Sequence, residues 1–263
     1  MTEVVQHTGE VEGHLVVWRQ APGDGTPILW VHGVPDSGEL WTPLLAQAGG
    51  VAPDLPGFGH SGKRADFPYS IDGYADFLDA FCRELGLDRV RLVVHDWGAV
   101  GLALAARRPE RIERLVAIAP VPFVAGFRWH TLARAWRTPV LGEVTMGLVS
   151  PFVARRIARG MPRELLDRAL ANLDHGTQRA ILRLYRSAPP GELARAGEAL
   201  RGVDAPALVV WGGRDPFLPE RHAHDLAALM PAAEVEIASE RGHWPWVDDD
   251  PLQERILGFL AGD

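Results

Sequence analysis

The sequence predicts an α/β fold: a mostly parallel sheet with helices on both faces, interrupted once by a purely helical insertion. Three observations predict it. Short apolar, β-branched runs alternate with helical stretches from Ile28 to Ala119, the rhythm of a parallel sheet built from strand–helix–strand units. The rhythm stops between about Pro122 and Gly202, where helical stretches rich in Arg, Ala and Leu are broken by Pro139, Pro151, Pro162 and Pro189-Pro190. It resumes at Ala207 and runs to the last helix.

Taken in order, Val11 to Arg19 reads as a strand and Ala21-Pro22-Gly23-Asp24-Gly25 as the turn after it. Ile28-Leu29-Trp30-Val31 is a short, fully apolar run of the buried kind, ending in the loop His32 to Gly38 that leads to a helix near Leu40 to Ala48. Val51-Ala52 is a brief strand, followed by the Gly- and Pro-punctuated loop Pro53 to Ser61. Ile71 to Leu85 reads as a helix, Val90 to Val94 as a strand, Trp97 to Arg107 as a helix and Leu115 to Ala119 as a strand. After the insertion come the strand Ala207 to Trp211, a helix near Arg221 to Leu229, the strand Val235 to Ile237 and a helix from Pro251 to Leu260. Asp248-Asp249-Asp250 reads as its solvated cap, well placed for the helix dipole. The predicted organisation is a core in two parts, 1–121 and 204–263, with a helical cap over 122–203.

Composition narrows the function classes. The 263 residues are 47% hydrophobic, ordinary for a globular protein, and the net charge of −7 argues against nucleic acid or an anionic membrane as a partner. The one cysteine, Cys82, sits in an amphipathic helical pattern and reads as core. The first residues carry neither a basic n-region nor an apolar h-region, and no apolar run is long enough for a membrane span. We expect a soluble, cytoplasmic protein.

The candidate chemistry centres on Arg91 to Ala99, where an apolar run ends at His95, Asp96 follows, and Gly98-Ala99 opens a helix. This is the layout of a nucleophile elbow, a sharp strand-to-helix turn that exposes one reactive side chain. Serine usually occupies that place; Asp96 does here. Asp96 alone would serve equally well as a helix N-cap. Two further residues favour a reactive role. The strand ending at Trp211 runs into Gly212-Gly213-Arg214-Asp215, and the one ending near Ile237 leads to Gly242-His243-Trp244. Ligands of open parallel sheets bind beyond the carboxyl ends of the strands, and Asp96, Asp215, His243 follow the nucleophile–acid–histidine order. Of the ten histidines, His222 and His224 stand two apart and share no helix face; His32 and His95 read as structural. No metal or other cofactor is expected.

His32-Gly33-Val34-Pro35, Asp54 to Ser61, His95-Asp96-Trp97-Gly98, Gly212 to Asp215 and Gly242-His243-Trp244 together resemble the α/β hydrolases with an aspartate nucleophile, which include epoxide hydrolases and haloalkane dehalogenases. The resemblance implies an α/β-hydrolase fold: a mostly parallel eight-stranded sheet flanked by helices, with the cap inserted after the sixth strand. It implies that Asp96 attacks an electrophilic sp³ carbon to form an alkyl ester. His243, oriented by Asp215, then activates the water that hydrolyses it, and the backbone N–H groups of Val34 and Trp97 form the oxyanion hole.

The two branches of that family differ in how the leaving group is handled. Dehalogenases hold the halide with an indole beside the nucleophile, which Trp97 matches, and with an Asn where this chain has Val34; Trp129 or Trp136 on the cap are the candidate substitutes. Epoxide hydrolases protonate the alkoxide with cap tyrosines, and Tyr185, in Leu184-Tyr185-Arg186, resembles one of that pair, with His130 or a water as assistant. Tyr185 and Val34 tip the sequence reading to epoxide hydrolysis, with carbon–halogen hydrolysis as the alternative. A hydrolase-like binding protein without turnover is the reading from another class. Phe123, Phe127, Trp129, Trp136, Met146, Leu148 and Phe152 suggest an apolar roof, so the expected partners are a small hydrophobic substrate and water.

Overall fold

A computed structural model describes residues 2–149, 153 and 161–262. Eight strands form one sheet: β1 (Val5–Val11), β2 (His14–Ala21), β3 (Ile28–Val31), β4 (Gly50–Pro53), β5 (Val90–His95), β6 (Ile112–Ile118), β7 (Ala207–Gly212) and β8 (Ala233–Ala238). Their order is β1-β2-β4-β3-β5-β6-β7-β8, with β1–β2 and β2–β4 antiparallel and the remaining pairs parallel.

The first hairpin corrects the sequence reading, which expects one strand over Val11–Arg19. That span crosses the turn between two strands. Glu12 and Gly13 both take positive φ, 48° and 78°, as two-residue hairpin turns require. β1 escapes detection because it is an edge strand with only Val11 buried, so it carries no apolar run.

The other strands alternate between two cores, one per face of the sheet. Leu29, Val31, Leu92, Val94, Leu115, Ala117, Val209 and Trp211 pack on one face with α2 (Ile71–Glu84) and α3 (Val100–Arg107). Ile28, Trp30, Val93, Val116, Ile118, Leu208 and Val210 pack on the other with α1 (Thr42–Ala48). Burying both faces makes these strands near-continuous apolar runs, and each fully buried Val or Leu contributes roughly 1.5–3 kcal/mol.

Between β6 and β7 the described residues form helices and no strand: α4 (Thr131–Arg137), α5 (Leu141–Gly147), α6 (Arg163–Ala171), α7 (His175–Ser187) and α8 (Pro190–Glu198). Pro151 and Phe152, read above as a break and as part of the roof, lie outside the described residues. The chain closes with α9 (Arg221–Ala227) and α10 (Asp250–Ala261), the latter capped by Asp249, whose carboxylate accepts from Leu252 N–H at 3.1 Å. No helix among the described residues is long and apolar enough to cross a membrane.

Candidate active site

β3 and β5 are neighbours, yet the chain leaves β3 toward β4 on one side and β5 toward β6 on the other. This is the switch point at which open parallel sheets leave a crevice. The loop after β3 and the turn after β5 face each other across it. Asp96 has φ 50°, a left-handed conformation that costs a non-glycine residue about 1–3 kcal/mol and clusters at functional sites. Small neighbours permit the turn. A Cβ on Gly98 would lie 2.3 Å from the Val31 carbonyl oxygen, and one on Gly33 would lie 2.6 Å from Asp96 Oδ1.

Asp96, His243 and Asp215 come together there. His243 Nδ1 donates to Asp215 Oδ2 at 2.6 Å, and Nε2 stands 3.5 Å from Asp96 Oδ2. Asp215 Oδ1 is held by the N–H groups of Phe217 and Leu218 at 2.8 and 2.9 Å, so its carboxylate is locked before it meets the histidine. Val34 N–H donates to Asp96 Oδ1 at 2.8 Å. The backbone N–H of Trp97, expected as the second donor, makes no bond to that carboxylate.

Burial opposes the charge on both central groups, and the partners outweigh it. The His243 pKa is raised by the Asp215 charge and hydrogen bond and by Asp96. That of Asp96 is lowered by the hydrogen bond and charge of His243 and by Val34 N–H. The two therefore hold each other in the charged form.

The other two histidines fix the loops. Burial drives His95 down to about 3 and His32 to about 4, so both are neutral. His95 Nε2 donates to the His243 carbonyl at 2.9 Å. His32 donates through Nδ1 to Gly33 O and accepts at Nε2 from Leu55 N–H.

Above Asp96 lies a cavity of about 140 Å³. Asp96, His243, Tyr185 and His130 supply its polar groups, within a wall that includes Val121, Leu132, Met146, Leu166, Ile181 and Phe217. Trp129 and Trp136 line it; Trp97 does not, because it stacks under Trp129 at 5.5 Å and against the edge of Tyr185 at 5.1 Å. Its buried Nε1 has no hydrogen-bond acceptor. Trp129 Nε1 is committed to the Ala188 carbonyl at 3.2 Å, whereas the buried Trp136 Nε1 has no acceptor. Burial and the Asp96 charge raise the Tyr185 pKa, so its phenol keeps its proton.

Of the expected roof, Phe123 and Phe127 are buried away from the cavity wall, and Leu148 is exposed. Sequence reasoning missed Phe217, Leu218 and Trp244 as wall residues. Their signal was adjacency, since they directly follow the Asp215-Pro216 turn and His243. Among the described residues no group of three or more His, Cys, Asp or Glu is arranged to hold a metal ion.

A family model described as "Alpha/beta hydrolase family" matches residues 28–254. A haloalkane dehalogenase of Mycolicibacterium paratuberculosis is 31% identical, over 91% of this chain and 85% of its own. One of Bradyrhizobium diazoefficiens is 29% identical, over 99% and 95%. Among solved structures, haloalkane dehalogenase DbeA from Bradyrhizobium elkani superposes with a TM-score of 0.82 at 28% identity, over 99% of this chain and 98% of that one.

Proposed function

The chain belongs to the alpha/beta hydrolase family and is an enzyme of its dehalogenase and epoxide hydrolase type, and within that type we propose that it hydrolyses a carbon–halogen bond in a small, hydrophobic substrate. One observation carries the reading. Asp96, kept ionised on the floor of an apolar cavity, has one oxygen on Val34 N–H and the other toward a histidine backed by a carboxylate. An ionised carboxylate needs no base to activate it. The sequence alone leans to epoxide opening. Relatives named haloalkane dehalogenases, aligned over 85% and 95% of their length, favour its alternative.

In the first step Asp96 Oδ2 bonds to the sp³ carbon from the side opposite the halogen, and the carbon–halogen electron pair leaves as halide. The ester removes the Asp96 charge that helps to keep His243 protonated, and the imidazolium gives up its proton to solvent. His243 is thereby made a better base at the moment it is needed. It takes a proton from water, and the hydroxide adds to Asp96 Cγ. The resulting oxyanion sits on Val34 N–H, and the alcohol departs with one proton. The sum is haloalkane plus water giving alcohol, halide and a proton.

Epoxide opening is the second reading, favoured by one observation: Tyr185 lines the cavity and its phenol keeps its proton, as an acid for a nascent alkoxide must. Intact-protein mass decides. His243→Gln should stall as an ester after mixing with haloalkanes, gaining the haloalkane mass less hydrogen halide. A gain equal to a whole epoxide would put epoxide opening first. Adducts that persist in Asp96→Asn would place the labelling elsewhere. No adduct from either series, with ligand recovered intact, would favour the binding protein.

A further inference from the structure

Once Asp96 is esterified, the attraction between its carboxylate and the His243 imidazolium is gone, yet His243 must still aim at the ester. Even in the free enzyme Nε2 stands 3.5 Å from Asp96 Oδ2, long for a hydrogen bond. Asp215 holds Nδ1 at 2.6 Å, but one hydrogen bond at one corner of a ring does not by itself set the direction of the opposite nitrogen. The rest of the aim must come from the His243 main chain.

That main chain is held by His95, the residue before the nucleophile. His95 closes β5, where its backbone pairs with Ile118 of β6, and its Nε2 reaches the His243 carbonyl oxygen at 2.9 Å across 148 positions of chain. A carbonyl only accepts, so the ring proton is on Nε2. Burial keeps the ring neutral, which leaves Nδ1 bare. Nδ1 is buried and has no partner among the described residues, and a bare buried acceptor costs stability. The fold tolerates that cost at the one histidine that ties the nucleophile's strand to the base. The rings of His243 and Trp246 each pack 4.8 Å from the imidazole, fixing its plane. On the other side Arg214 N–H donates to the Arg241 carbonyl at 2.8 Å. The acid loop therefore holds the start of the base loop, and His95 holds its reacting residue.

We propose that His95 is a positioning residue for the second half-reaction: its Nε2–H, anchored on the strand end that carries the nucleophile, holds the His243 main chain so that the imidazole stays aimed at the ester. The inference rests on the alkyl-ester mechanism proposed above and applies to either electrophile. His95 is not on the cavity wall, and it moves no proton. Misplacing a reacting group by about 1 Å can cost about a hundredfold, and here the loss falls on one step. Before the ester forms, Asp96 needs no base and its charge aligns His243. Afterwards the alignment rests on Asp215 and His95.

The test separates the two steps. Ester formation and ester decay are followed in single turnovers by rapid-quench intact mass, with whichever haloalkane or epoxide labels His243→Gln. His95→Phe keeps a ring and removes the N–H. Ester formation should stay within about threefold of the parent while decay slows about tenfold or more, so that the ester accumulates. His95→Gln returns an amide N–H at similar reach and should bring decay back to within about threefold of the parent. Should the Phe variant fail to fold, His95→Asn, whose amide is too short to reach the carbonyl, should show the same imbalance. Equal slowing of both steps, unchanged decay, or a Gln variant as slow as the Phe variant overturns the role of His95 while leaving the ester mechanism standing. If neither series labels His243→Gln, the ester mechanism fails and this role fails with it.

Discussion

The floor and the roof of the cavity are built by different means. Val34, Asp96, Asp215 and His243 stand on loops leaving the carboxyl ends of sheet strands, and register fixes those ends. Val94 pairs with Val31 on one side of β5, and His95 with Ile118 on the other. Trp136, Tyr185 and His130 stand on or beside cap helices held by side-chain packing. Arg137 donates to the carbonyls of Tyr185 and Ala188, and Arg186 donates to the Trp136 carbonyl while pairing with Glu143 at 2.8 Å. The proposed chemistry rests on backbone geometry, and the proposed substrate contacts on helix packing.

The sharpest contrast is kinetic. Asp215→Asn keeps the shape of the floor but withdraws the charge behind His243. Turnover should fall on the order of ten-thousandfold, as in other triads that lose this carboxylate, while ester formation slows less than about tenfold. Rapid-quench mass measurements would show the ester accumulating. Equal loss in both half-reactions would break the division of labour. On the roof, Tyr185→Phe should lower haloalkane turnover only about two- to tenfold, the worth of one neutral hydrogen bond. A loss as large as that of Asp215→Asn, seen with epoxides alone, would move the roof into the chemistry.

This difference also governs what could be read in the sequence. Asp96, Asp215 and His243 were legible because each follows an apolar strand at a set distance, and strand order brings such ends together. Gly98 and Gly33 were legible as small residues for the same reason. The contacts of the cap side chains were not, although Trp136, Tyr185 and His130 are each named as candidates from the sequence. Trp97 sits beside Asp96 in the chain, yet its indole is turned under Trp129. The tautomer of His130 depends on one bond to Ala133 N–H, which no spacing rule encodes. β1 was missed because an exposed edge strand lacks the apolar run on which detection depends.

Stability offers a second contrast through two glycines. A Cβ at Gly98 would strike the Val31 and His32 carbonyl oxygens at 2.3 and 3.0 Å, and both belong to the main chain. Gly98→Ala should therefore destabilise by about 2–4 kcal/mol, in the range of a strained core substitution. Gly191, within α8, has open space around its Cβ position, and Gly191→Ala should stabilise by about 0.5–1 kcal/mol through helix propensity alone. Urea unfolding of the pair would test this. Similar costs at both sites would mean that the elbow yields more readily than its contacts imply.

The smallest effect belongs to the seam between the two regions. Asp36, on the loop after β3, is buried beside cap residue Arg168, and its Oδ2 accepts from Trp244 Nε1 at 3.4 Å. Burial raises its pKa to about 7, with the Asp96 charge adding to the rise. The folded state therefore holds a proton between about pH 4 and 7 that the unfolded state has released. Stability contributed by that proton is full below the unfolded pKa and lost as pH climbs through the folded one. An asparagine never ionises and can still accept from Trp244. Asp36→Asn should match the parent near pH 4 and exceed it by roughly 1–3 kcal/mol at pH 8, below the limit set by the full shift. Urea midpoints at the two pH values give the comparison. A difference that does not change with pH would mean that Asp36 is already neutral, or already solvated, across the whole range, and the seam would carry no electrostatic cost.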